Sequence, residues 1–259
     1  MKDKILYLEC YSGISGDMTV GALLDLGASE KKLREELAKL PVEGYYIEIT
    51  RKKVNGLEGC DFHVILEDRQ EEQSGHSREH HSHGEHHHEH SHYGQIREML
   101  QNSKLDPEVK KLSCQIFQIV AQAEGRVHGV EEDEVAFHEV GAVDSIVDIV
   151  AAAVCVADLQ ISRAVVSALW DGCGTILCQH GRIPVPVPAV TEILAASGLP
   201  FHPTQTIGEM VTPTGAAIAA ALHDGKLPGE MIIKNCGIGT GKRQFEHPNI
   251  LRAMLVEGL

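Results

Sequence analysis

Nine histidines fall between His76 and His92, in the run HSREHHSHGEHHHEHSH. They are His76, His80, His81, His83, His86, His87, His88, His90 and His92. Neutral imidazole is the commonest side-chain ligand for Zn, Ni and Cu. A dense tract of it binds such ions without a preformed pocket, so all nine are candidate metal ligands. The tract is internal, irregular and interleaved with Glu79, Glu85 and Glu89, unlike a purification tag. Its composition suits Ni or Zn without choosing between them. A polar linker of no specific role is the plain alternative.

A second chemical signal lies in AFHEVGAVDSIVDIVAAAVCVADL. After His138 and Glu139 this segment is apolar nearly all round, which predicts a buried helix. Asp144 and Asp148 stand four apart, on one face of it. Burying two like charges together is costly unless a cation or a donor answers them. A metal ion or a cationic substrate would do so, with His138 as an adjacent ligand or base. Structural carboxylates bonded to backbone or arginine are the alternative. His138-Glu139 is not a zincin motif, since no second histidine follows at the required spacing.

Three further segments could bind an anion or a soft metal. YSGISGD places Ser12, Gly13, Ser15 and Gly16 ahead of a helix, where backbone N–H groups favour phosphate, and Asp17 could orient a phosphate-bound metal. The loop lacks the Lys-Ser/Thr ending of a P-loop, and a tight connection explains it about as well. DGCGTILCQHGRIPVPVP brings Cys173, Cys178 and His180 close in sequence. Thiolate and imidazole suit a borderline metal, but the spacing matches no closed zinc site. Thr212 and Thr214 either cap a helix or bond a substrate. CGIGTGKR ends in Lys242 and Arg243, able to hold a phosphate or carboxylate, or simply to form a surface turn.

The elements that must position these residues follow from periodicity. KILYLEC predicts a buried strand, followed by the Gly/Ser loop and a helix stopping near Gly27. Ser29 caps the next helix, which ends before Pro41. YYIEITRKKVNGLEGCDFHVILE predicts a hairpin turning at Asn55-Gly56. Residues 68–93 are polar and His-rich, with disorder expected in the absence of metal. Asp106-Pro107 opens a long helix, RAVVSALW predicts one strand, and AVTEILAASG a helix closed by Gly198. Thr212-Pro213 opens another helix, MIIKNCGIGTGKR a strand running into a glycine loop, and ILRAMLVE a final strand. The fold class expected is an α/β core with a small α+β hairpin-containing insertion and a disordered His-rich loop. The segments are 1–67, 68–93 and 94–259.

Composition narrows the partners. The 259 residues include 37 acidic against 23 basic, a formal net charge of −14, which argues against nucleic acid. Hydrophobic residues make up 43% but aromatic ones only 4%, so the core must be built from Ala, Val, Leu and Ile. Seven cysteines, an odd number without a CxxC pair, and no apolar signal segment or membrane span predict a reduced, cytoplasmic protein with no membrane partner.

Together YLECYSGISGDM, FHEVGAVDSIVDIV, CQHGRIPVPVPAVTEIL, TPTGAA and GIGTGKR…PNILR resemble the LarC family of nickel-insertion proteins over essentially the whole chain. The resemblance implies CTP-dependent insertion of Ni2+ into pyridinium-3,5-bisthiocarboxylic acid mononucleotide. The nickel-pincer cofactor so formed serves lactate racemase, a possible partner as apoprotein. Nickel ends up on two sulfurs and a pyridinium carbon, so a C–H proton must leave. It also implies a C-terminal domain binding CTP with Mg2+ or Mn2+, separate from this chain, which would be the N-terminal half of a lyase-type chelatase, expected to be oligomeric. Gln244 stands where an acidic residue would be expected after Arg243.

On that footing His138, Glu139, Asp144, Asp148 and His180 are the candidate catalytic residues. Ser12, Gly13, Ser15, Gly16, Asp17, Thr212, Thr214, Lys242 and Arg243 are the candidate substrate-binding set. The rival functions are nickel storage or delivery without catalysis, and a metal-dependent phosphohydrolase.

Overall fold

The computed structural model describes residues 4–67, 92–137, 143–227 and 229–258. Its frame is a six-stranded mixed sheet in the order β2-β3-β9-β10-β1-β4. The strands are β1 (Ile5–Glu9), β2 (Tyr45–Val54), β3 (Leu57–Leu66), β4 (Arg163–Val166), β9 (Met231–Thr240) and β10 (Ile250–Gly258). β1 runs parallel to β4 and antiparallel to β10, and β3 meets β9 in parallel at Cys60 and Gly239. The hairpin β2–β3 forms where Asn55-Gly56 predicts it, with both turn residues at positive φ (48° and 85°). It is not set apart as an insertion, because β3 continues the main sheet through β9.

The helices lie on the sheet face lined by Leu6, Leu8, Phe62, Leu251 and Ala253. α1 (Gly16–Leu26) sits directly on β9 and β10, and α2 (Glu30–Leu37) follows it. α5 (Val143–Leu159) packs against α1 and α2. Beyond it lie α3 (Tyr93–Asn102), α4 (Pro107–His128), α6 (Pro188–Ser197) and α7 (Pro213–Leu222). α5 buries Ile146, Val147, Ile149, Val150 and Val154, each such side chain contributing roughly 1.5–3 kcal/mol of transfer free energy. The opposite sheet face carries a smaller apolar cluster of Ile5, Val165, Met254 and Val256.

With few aromatic residues, close backbone approach substitutes for bulk. A Cβ on Gly239 would stand 1.9 Å from the Met18 carbonyl oxygen, and one on Gly237 2.3 Å from that of Ala22. The glycines of CGIGTG therefore seat α1 on β9 rather than forming an anion-binding loop. The turn begins only at Gly241.

Three elements depart from the sequence reading. RAVVSALW breaks after Val166, because the backbone N–H of Ser167 bonds the end of β1 (Leu8 O, 2.9 Å) while its hydroxyl accepts from Cys10 N (2.8 Å). The chain then enters a second, two-stranded sheet, β5 (Leu169–Cys173) parallel to β8 (Phe201–Ile207). The CGTILCQHGRIP stretch is a hairpin of β6 (Thr175–Cys178) and β7 (Gly181–Pro184). α3 forms just past the His-rich run, with His92 as its N-cap. No helix among the described residues is long and apolar enough to cross a membrane, and all seven cysteines are free.

Candidate functional site

Two helix N-termini are brought side by side by a single bridge. Ile14 N donates to Met210 O (3.0 Å), and Thr212 N donates to Ile14 O (3.1 Å). Ser15 caps α1, its hydroxyl accepting from Met18 N and donating to Asp17 Oδ1. Thr212 caps α7, accepting from Gly215 N at 3.1 Å, with Pro213 as the first helical residue. The exposed N–H groups of both helices aim positive potential at the space between them. That space is a cleft of about 480 Å³.

The cleft wall draws on four more segments. α5 contributes Asp144, Ser145 and Asp148, the two aspartates on one face as their spacing predicts, but Asp144 is exposed, so the pair is not buried together as the sequence reading expected. β3 contributes His63, the loop before α7 contributes Glu209, and the turn after β9 contributes Lys242 and Arg243. Gly16 explains how Asp148 reaches the start of α1: a Cβ there would lie 2.6 Å from Asp148 Oδ2. The turn carrying Lys242 and Arg243 is held by buried Asn249, whose main-chain carbonyl accepts from Gly241 N (2.9 Å) and whose side-chain Nδ2 donates to Arg243 O (3.0 Å).

Opposed charges divide the site. Lys242 Nζ stands 3.5 Å from Asp17 Oδ2, and Arg243 Nη2 2.6 Å from Glu209 Oε2. Crowding by protein pushes the Asp148 carboxyl well above the usual carboxylate range, and Asp17 and Asp144 push it further. Lys242 and the Asp17 N–H pull the other way. An arriving cation would reverse that balance and expel the proton. Burial, and then Lys242, hold the His63 imidazole below its ordinary value, against Asp61, Glu48 and Asp17. His63 is therefore a neutral ring at neutral pH, able to accept a proton or bind a metal. Among the described residues, no three His, Cys, Asp or Glu side chains already surround a common point as metal ligands would.

Behind the cleft, Asp171 is fully buried. Its Oδ1 accepts from Met210 N (2.8 Å), Val211 N (3.1 Å) and Gly172 N (2.8 Å). These bonds set the course of the chain between Glu209 and Thr212. Burial raises its carboxyl above the ordinary range, against the three N–H groups and Arg243. Oδ2 is buried with no hydrogen-bond partner among the described residues.

Of the residues singled out by sequence, Ser15, Gly16, Asp17, Asp144, Asp148, Thr212, Thr214, Lys242 and Arg243 meet in this one cleft. Ser12 and Gly13 do not line it. They form the tight turn behind it, Gly13 at φ +85° against Met210. His180 lines a neighbouring cavity of about 270 Å³ with Glu124, His128 and Phe137. His92 caps α3, its ring Nδ1 lying 3.3 Å from Glu134 O. His138, Glu139 and the histidines from His76 to His90 lie outside the described residues. Sequence reasoning passed over His63, Glu209, Asp171 and Asn249. Only a polar, titratable residue inside an otherwise strand-like apolar run, as in CDFHVIL, could have drawn attention to the first.

A family model described as "Nickel insertion protein" matches residues 6–258. A protein of Alkaliphilus metalliredigens named pyridinium-3,5-bisthiocarboxylic acid mononucleotide nickel insertion protein is 50% identical over 97% of this chain and 60% of its own length. Proteins of the same name from Geobacillus kaustophilus and Acetivibrio thermocellus are 43% and 41% identical, over 98% and 97% of this chain and 60% of each relative. The chain thus spans about 60% of the length of these curated relatives. No solved structure matches it. With this match along nearly its whole length, the chain belongs to the nickel insertion protein family.

Proposed function

We propose that the cleft is where Ni2+ meets pyridinium-3,5-bisthiocarboxylic acid mononucleotide and is inserted into it. The observation that carries this reading is one cleft in which Asp17, Asp144 and Asp148 face Lys242 and Arg243 at two helix N-termini. The substrates demand that division. A phosphate and two thiocarboxylates need N–H donors and cations, while Ni2+ and a pyridinium ring need carboxylates. Thr212 and Thr214 at the start of α7, with Lys242 and Arg243, receive the phosphate. Asp144 and Asp148 attract the metal and the ring. Forming a nickel–carbon bond releases the ring proton, and neutral His63 is the base in the described wall that takes it. Asp148 surrenders its own proton as the metal arrives.

The wider scheme is part of the same proposal. CTP, with Mg2+ or Mn2+, is assigned to a C-terminal domain of the family, and the nickel-pincer product to lactate racemase or a related client. The assay combines the purified chain, the mononucleotide, Ni2+ and CTP, with and without a separately expressed C-terminal domain. Product in either mixture, lost in a folded Asp144→Asn variant, is the expected result. Wild-type product from Asp144→Asn would remove that carboxylate from the mechanism. No product in any mixture, with nickel still tightly held, would replace insertion by storage or delivery.

A further inference from the structure

Next to the cleft lies a second group of His, Cys and Glu side chains that the insertion chemistry does not use. Glu124 and His128 stand one turn apart on α4, with His128 Nε2 3.3 Å from Glu124 Oε2. The His128 and His180 rings are 5.0 Å apart between centroids. Cys178 Sγ is 3.9 Å from His180 Nδ1. Cys178 ends β6 and His180 lies in the turn that leads into β7, so the hairpin brings the His180 ring to His128 at the end of α4 with Cys178 beside it.

These separations resemble those of ligands sharing one ion. First-row divalent metals hold oxygen and nitrogen donors at roughly 2.0–2.2 Å and sulfur at roughly 2.3 Å. Tetrahedral angles then put oxygen and nitrogen about 3.3 Å apart, sulfur and nitrogen about 3.5 Å, and two imidazole centroids about 5 Å. Two of the observed distances meet these values, and the third exceeds its value by about 0.4 Å. Among the described residues no three donors yet converge on one point, so closing the set takes rotation of the exposed His180 ring and of Cys178. One thiolate, one carboxylate and two imidazoles offset the charge of a divalent ion and suit a borderline ion, Zn2+ or Ni2+, better than Mg2+ or Ca2+; the insertion reading is what selects Ni2+.

Position gives the cluster a purpose. Pro213 lines both the cavity beneath His128 and His180 and the aspartate cleft, so the two share a wall. Ala136, which also lines that cavity, pairs with His92, the last histidine of the run. The cluster thus stands between the end of the His-rich run and the cleft.

We infer that Glu124, His128, Cys178 and His180 form a nickel-loading site that holds Ni2+ before it enters the cleft. The identity of the cargo rests on the insertion reading; the binding of a divalent ion by these four side chains does not. The His-rich run contains no cysteine, so thiolate-to-nickel charge-transfer absorption in the near ultraviolet reports this site without interference from it.

The experiment titrates the full chain with Ni2+ beyond the capacity of its histidines and follows that absorption. A saturable band is expected in the wild type and in Cys236→Ser. It should vanish in Cys178→Ser and need several-fold more nickel in His128→Gln. Circular dichroism checks that each variant is folded. Absence of the band from the wild type, or its persistence in Cys178→Ser, would overturn the inference. The insertion assay is read separately. A band without product overturns the cleft reading alone, and product without a band overturns the loading site alone.

Discussion

Asp171 offers the sharpest test of how the cleft is held open. Replacing it by alanine removes the acceptor of three N–H groups, those of Met210, Val211 and Gly172. Each buried donor left unpaired costs roughly 1–3 kcal/mol. Three at the low end of that range give about 3–4 kcal/mol, or ~10²-fold or more in the folding equilibrium. With an m-value of about 3 kcal/mol/M, the urea midpoint should fall by about 1 M. Asp171→Asn keeps an oxygen for the same three donors but sets an amide NH2 where Oδ2 is buried without a partner, so it should cost about 1–2 kcal/mol, less than the alanine variant. It should also flatten part of the pH profile. An acid whose native value is raised binds its proton more tightly folded than unfolded. Its stability is therefore complete below the unfolded value of about 4 and declines as pH climbs towards the native value. The asparagine variant has no such proton and loses that decline. Urea unfolding followed by circular dichroism measures both variants across pH. An alanine variant as stable as wild type, or an asparagine variant as unstable as the alanine one, would refute the assignment.

Other expectations follow from the same geometry. His63→Gln should lower the insertion rate at least tenfold, a general base contributing ~10²–10⁴. In wild type, activity should fall as pH drops through the depressed His63 value, below about 6.5, and a rate profile unchanged by His63→Gln would exclude it as the base. Gly16→Ala drives a methyl to 2.6 Å from Asp148 Oδ2 and 2.7 Å from its Cβ, an overpacking cost of about 1–3 kcal/mol with displacement of Asp148. Thermal unfolding and the insertion assay should both register the change. Removing residues 76–91, which spares the His92 cap of α3, should lower nickel capacity by equilibrium dialysis yet leave activity at high nickel. Complete loss at saturating nickel would instead place essential ligands in the tract.

Local signals were legible where one short segment settles its own structure. Ser15, Ser29, Asp106 and Thr212 cap helices where their side chains can reach free N–H groups within the next turn. Asn55-Gly56 turns a hairpin because both residues accept positive φ. The apolar run around Asp144 and Asp148 was bound to be a buried helix with a charged face, and most of the anion-binding candidates entered the same cleft. The family resemblance was likewise carried by contiguous strings of residues.

What tertiary structure alone decided is how distant segments meet. No periodicity shows that β1 bonds Ser167 and breaks RAVVSALW into strands of two sheets, or that Phe201–Ile207 is a strand at all. His63 reads as one more residue of a hairpin until β3 joins β9 and turns it towards Lys242. Asp171 and Glu209 matter through bonds to Met210 and Arg243, which lie far from them along the chain. His180 left the cleft for a neighbouring cavity because the β6–β7 hairpin carries it to the end of α4. Residue type and spacing determine which chemistry a segment can offer. Strand pairing and close helix contacts, which depend on partners far along the chain, determine which segments offer it together.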